Sequence, residues 1–164
     1  MPGTIIRSFS SPGGAPRGIA LDGRTLWLVD EATDLVYQID PATGTVIRSF
    51  SFSNTNVRGL AFIERYLWLV DASTYKLSQV DPATGTTIRQ LNAPANNPWG
   101  IGWDGWTLWV NADATDAIYQ VDPGTGTTIR SFSLPSSQPR GIAFDGRTLW
   151  VTDSLADLIY QLSL

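Results

Sequence analysis

Residues 18–50 read GIALDGRTLWLVDEATDLVYQIDPATGTVIRSF, and the pattern of this stretch recurs down the chain. Trp27, Trp68, Trp109 and Trp150 stand 41 residues apart. Gly18, Gly59, Gly100 and Gly141 keep the same interval, as do Gln38, Gln79, Gln120 and Gln161. Asp-Pro at residues 40–41, 81–82 and 122–123 precedes Gly44, Gly85 and Gly126 by the same step. Within one copy, Asp22-Gly23 separates two runs rich in apolar and β-branched residues, which is a hairpin signal. Asp40-Pro41-Ala42-Thr43-Gly44 is a second turn, with proline presetting one φ and glycine accepting a positive one. Each copy therefore reads as four short strands, near 18–21, 25–29, 35–39 and 45–50. Polar turns interrupt the pattern too often for a helical stripe to develop.

Four antiparallel strands repeated at a period of about 40–45 residues are the mark of a β-propeller. The expected fold is all-β: residues 1–164 form one propeller domain of four 41-residue repeats, each a blade. Trp27 and its counterparts are expected between blades, as are Phe50 and Phe132, and Trp103 replaces a core residue. The chain starts out of phase with the repeat. Residues 4–9, TIIRSF, match the fourth strand TVIRSF at 45–50, while the last copy ends at Leu164 after its third strand. An unpaired sheet edge invites aggregation, so the N-terminal strand is expected to close the last blade. That closure can occur within a monomer of four blades, or in a two-fold homodimer whose eight blades complete one ring.

Composition narrows the function. With 11 basic and 15 acidic residues the formal charge is −4, and Lys76 is the sole lysine, so neither nucleic acid nor an anionic membrane surface is an expected partner. No apolar run approaches a membrane span. The chain has neither cysteine nor histidine, which removes thiol catalysis, thiolate metal sites and the commonest general base. No catalytic residue, metal site or cofactor is expected. Asp30 with Glu31, and Asp113 with Asp116, make no recognised calcium loop.

One rim of the propeller gathers the candidate binding residues. Arg17, Arg58 and Arg140 each precede a glycine of the repeated column, and Asp30, Asp71 and Asp153 end the second strands. Either the two sets pair with each other, or they form a polar ring for an anion, a cation or a sugar. The third copy departs from the rule: Trp99 stands in the arginine column and Ala112 in the aspartate column, while Trp106 replaces Arg24, Arg65 and Arg147 on the opposite rim.

TLWLVD at 25–30 and YQIDPATG at 37–44 resemble the propellers of the NHL and streptogramin-lyase-like superfamily. The resemblance, once per copy, implies the fold. It covers lyases, hydrolases, cyclotransferases and pure binding modules, and the lyases rely on a histidine that this chain lacks. The repetition of each polar group and the missing histidine favour a non-enzymatic structural or binding scaffold for a small-molecule or glycan ligand. The alternatives are a carbohydrate-binding propeller, stacking sugar on Trp99 or on Tyr37, Tyr119 and Tyr160, and a lyase or hydrolase using the channel Asp and Arg residues.

Overall fold

The computed structural model describes residues 5–52, 56–135 and 137–164. Blade one comprises β1 (Pro16–Leu21), β2 (Leu26–Asp30), β3 (Leu35–Ile39) and β4 (Val46–Ser51). Blade two comprises β5 (Val57–Ile63), β6 (Tyr66–Asp71), β7 (Lys76–Val80) and β8 (Thr87–Asn92). Blade three comprises β9 (Pro98–Trp103), β10 (Leu108–Ala112), β11 (Ala117–Val121) and β12 (Thr128–Ser133). Blade four has three strands, β13 (Pro139–Phe144), β14 (Thr148–Asp153) and β15 (Leu158–Ser163). All pairings are antiparallel between sequence neighbours. The first strands β1, β5, β9 and β13 adjoin one another and form the inner edge.

The core lies between blades. Trp27, Val29 and Val36 of blade one pack with Leu60, Leu67, Leu69 and Val80 of blade two. Trp68, Val70 and Leu77 meet Ile101, Leu108, Val110 and Val121 in the same way, and Trp109 and Ile118 meet Leu149 and Val151. Trp103 packs against the second of these clusters. Blades one to three thus each present one apolar face, carrying the tryptophan, to the blade that follows.

In blades one, three and four the tryptophan ring N–H is satisfied within its own blade; in blade two Ile63 stands where the others have the accepting aspartate. In blade one, Trp27 Nε1 donates to Asp22 Oδ2 at 2.9 Å, and that oxygen also accepts from the Thr25 hydroxyl at 2.6 Å. Gln38 Nε2 donates to Thr25 Oγ1, and Arg48 Nε donates to Gln38 Oε1, which carries the relay out to β4. Blade three repeats it with Trp109, Asp104, Thr107, Gln120 and Arg130. Burial pushes the Asp22 carboxyl up, but the Thr25 hydroxyl and N–H, the Trp27 ring N–H and the Arg24 N–H outweigh it and hold the pKa at about 2, from an ordinary 3.8. Asp104 and Asp145 are lowered by the same kinds of donors. A depressed carboxylate adds stability above its unfolded pKa and loses it as pH falls through the folded one. Unfolding free energy should therefore hold above pH 3.8 and decline towards about 2, read from urea midpoints across that range, with Asp22→Asn flattening the decline. A midpoint that is level across that interval would contradict the relay.

The four blades form an open arc, and the expected closure is corrected. No sheet is closed by hydrogen bonds among the described residues, blade four lacks a fourth strand, and β13 makes no contact with β1 of the kind that joins β9 to β13. Thr4 lies outside the described residues; residues 5–9 form no strand. They are held by blade one instead. Arg7 Nη1 donates to the carbonyls of Pro41 and Ala42 at 2.8 and 2.6 Å, and the Phe9 ring covers Gly44, whose φ of 77° and missing side chain make room for it. That anchorage is at the opposite end of the arc from β15.

Candidate functional site

The site begins with a backbone irregularity repeated in each first strand. Pro16 faces Asp30 and Ile19 faces Leu28, so Arg17 and Gly18 together oppose Val29. The same extra residue occurs at Arg58, at Trp99-Gly100 and at Arg140-Gly141. A bulge of this kind bends its strand and re-aims a side chain. Here it places Arg17, Arg58, Trp99 and Arg140 around one depression of about 490 Å³ at the inner edge of the arc, with Ser154 at its margin. In blades three and four a polar side chain takes up the bulge amide: Gly100 N donates to Asn111 Oδ1 at 2.6 Å, and Gly141 N donates to Thr152 Oγ1 at 2.9 Å. Asn111, fully buried, also donates to the Arg140 carbonyl at 3.0 Å and so ties blade three to blade four under the site.

Trp99 is the centre of the cluster. The Arg58 and Arg140 guanidinium carbons lie 3.9 and 3.7 Å from its ring centroid. Flat guanidinium groups stack on aromatic faces, and both cations are drawn to the ring quadrupole. Arg140 Nη1 pairs with Asp113 Oδ2 at 2.6 Å, and Asn97 donates to the same oxygen while accepting from Arg58 Nη1 at 3.2 Å. Arg17 Nε donates to Glu31 Oε2 at 2.7 Å, and the two form an ion pair. Burial lowers the Arg58 pKa; Glu31 and Asp113 pull it back up, while Arg140 and Arg17 push it further down. Three cations set against two carboxylates leave an electropositive depression suited to an anionic group.

The aspartate column goes elsewhere. Asp30 accepts from the amides of Ala15, Ala32 and Thr33 and from the Thr33 hydroxyl, so it organises the rim turn beneath which it is buried. Asp71 accepts from Ser73 N and Thr74 N, and Asp153 from Leu155 N, Ala156 N and Gln138 N. None of the three lines the depression. The partners of Arg17 and Arg140 are instead the next residues along, Glu31 and Asp113. Turn amides lie closer to the end of β2 than the bulged arginine does, and they claim its carboxylate first. Reading the sequence missed Asn97 and Asn111, and weighed Asp113 only as part of a weak calcium-loop pattern rather than as an arginine partner. The change of the column Val29, Val70 to Asn111 and Thr152 was the available signal.

Trp106 lies at the far end of blade three in the β9–β10 turn, 84% exposed, so it shares no site with Trp99. Tyr37 and Tyr119 bond the hydroxyls of Thr33 and Thr115, and Tyr37 is buried; they are blade-packing residues rather than sugar platforms. Among the described residues, no three His, Cys, Asp or Glu side chains come together as a metal cage.

No protein-family model matches the chain, and no curated protein matches its sequence. Solved structures do. Glutaminyl cyclase from Myxococcus xanthus is 16% identical with a TM-score of 0.74, over 90% of this chain and 71% of that one. Virginiamycin B lyase from Staphylococcus aureus is 22% identical with a TM-score of 0.71, over 91% of this chain and 52% of the lyase, so the chain spans about half of that enzyme. A computationally designed protein is 13% identical with a TM-score of 0.67, over 96% of this chain and 99% of its own. The expectation of a non-enzymatic scaffold is corrected here by the names these propellers carry: the natural structures to which the chain is similar in fold include a cyclase and lyases. A catalytically inactive form of the S. aureus lyase has one histidine replaced by alanine. This chain, with no histidine, has to rely on other groups for any such chemistry. With repeats, blades and comparisons in agreement, the chain is a four-bladed β-propeller related in fold to the streptogramin-lyase-like and glutaminyl-cyclase propellers.

Proposed function

We propose that this chain is an enzyme of the lyase type, acting on a substrate whose carboxylate or carbonyl oxygen sits among Arg17, Arg58 and Arg140. The observation that carries the reading is the convergence of three arginines from three blades on one depression, two of them stacked on Trp99. Fold likeness to lyases supports the reaction class by analogy only. In such an elimination a base takes the proton α to a carbonyl, the electron pair moves to the carbonyl oxygen, and its return expels the group on the β carbon. Donors already in place for the oxyanion are the largest help an enzyme gives to this step. Arg58 and Arg140 are held in place for it by Trp99, Asn97 and Asp113. Glu31, half-buried and bonded to Arg17 at the edge of the depression rather than in its lining, is the candidate base.

The test is a panel of β-substituted carboxylic acids and their lactones, followed by the near-ultraviolet absorbance of the conjugated product. Arg58→Ala or Arg140→Ala should lower turnover by about 10²–10³, the usual loss of one oxyanion donor. Glu31→Gln should abolish it, while Trp106→Ala should leave it unchanged. No turnover across the panel, together with no arginine-dependent binding of simple carboxylates, would overturn the reading.

A further inference from the structure

The two ends of the arc match each other. Inside the chain, the Trp-bearing face of each blade is covered by the next: Trp27, Trp68 and Trp109 are 0–2% exposed, and Val36, Leu77 and Ile118 at most 1%. In blade four the same positions, Trp150 and Ile159, are 39% and 68% exposed. The receiving face shows the complement. Leu60 and Ile101 are 6% and 5% exposed where they receive the preceding blade, whereas Ile19 of blade one is 60% exposed. Gly18, Gly59 and Gly100 each lie against the backbone of the following blade, while Gly141 meets nothing beyond Thr152 of its own blade.

We propose that two copies of this chain associate as a two-fold pair, the Trp150 face of each copy seating on the Ile19 face of the other. This is the contact the chain already makes three times internally, so its shape and apolar character are established by the blades themselves. Arg7 shows where the second copy lies. Arg48 and Arg89 reach the next blade's turn at the carbonyls of Ala83 and Gly124, and Arg7 reaches Ala42 in the same way. Phe9 covers Gly44 as Phe50 covers Gly85 and Leu91 covers Gly126. Residues 7–9 therefore hold, on blade one, the place that an outer strand of a preceding blade holds on blades two and three. Arg48, Arg89 and Arg130 lie 5.4, 5.3 and 5.4 Å over Trp27, Trp68 and Trp109. Among the described residues Arg7 stands over no tryptophan, and Trp150 has no arginine over it. The pair brings Trp150 of one copy beneath Arg7 of the other through side-chain contact alone.

Solution mass measured by light scattering across a dilution series tests this. The expected mass is twice the 17.9 kDa of the chain. A single-chain mass at every concentration overturns the proposal, as does an open-ended series of larger species. Gly141→Ala adds a methyl group that meets only the Thr152 hydroxyl, at 3.2 Å, within its own chain and otherwise points at the second copy. It should raise the pair's dissociation constant by about tenfold to a hundredfold with the circular dichroism of the chain unchanged. Ile159→Asp, on the exposed face, should give a folded single chain. If both variants keep the pair mass at the same affinity as the parent, the seating of blade four on blade one is wrong.

Discussion

Replacing Trp109 by alanine is expected to cost about 3–5 kcal/mol of unfolding free energy, the range for deleting a large aromatic from a close-packed core. Trp109 is fully buried and lies stacked on Phe132 at 6.0 Å between centroids, with Ile118, Leu149 and Val151 around it. Its removal opens a cavity between blades three and four. It also takes one donor from Asp104, whose carboxyl is held below the usual range partly by the Trp109 ring N–H. Arg130, 5.4 Å over the ring, loses its platform as well. The urea midpoint reads the loss. Trp106→Ala is the control: its ring is on the surface, and such substitutions usually fall within about 0.5 kcal/mol of the parent. Comparable losses at the two tryptophans would mean that the core is not between the blades.

The repeat made the fold legible because propeller blades are built from contacts that must recur. A column such as Trp27, Trp68, Trp109 and Trp150 is a blade interface written four times, and strand 35–39 falls where the turn residues on either side of it place it. Closure was not legible. How far four blades travel round the axis depends on the angle at which Trp27 and Val36 meet Leu60 and Leu69, and no single column encodes an angle. The match of residues 4–9 to a fourth strand was a true signal with a different outcome: the segment has the side chains of that strand and uses Arg7 and Phe9 on the neighbouring turn. At the site, the arginine column was visible but its partners were not. Asp30 and Glu31 are adjacent in sequence. Their separation into a buried turn-former and a half-buried ion-pair partner follows from the bulge at Arg17-Gly18, which shifts the strand register by one residue.

Gly59→Ala is expected to be the most damaging of the small substitutions, and it connects that bulge to the site. A methyl group on Gly59 would fall well inside van der Waals contact of the Trp99 carbonyl and within 3.3 Å of Gly100 Cα and Ile101 N, all of them backbone. Side chains can rotate away from such an intrusion; the first strand of a neighbouring blade cannot. Overpacking of this kind costs about 1–3 kcal/mol, and the upper end applies where only backbone can yield. The displaced atoms belong to Trp99, on which Arg58 and Arg140 are stacked, so binding of a simple carboxylate should weaken together with stability. Gly14→Ala is the matched control, because nothing lies nearer than 4.0 Å to its methyl position. Unfolding curves and carboxylate titrations on the two variants separate the effects. If Gly59→Ala unfolded and bound like Gly14→Ala, the close approach of β5 to β9 would not be what positions Trp99, and the arginine cluster would need another support.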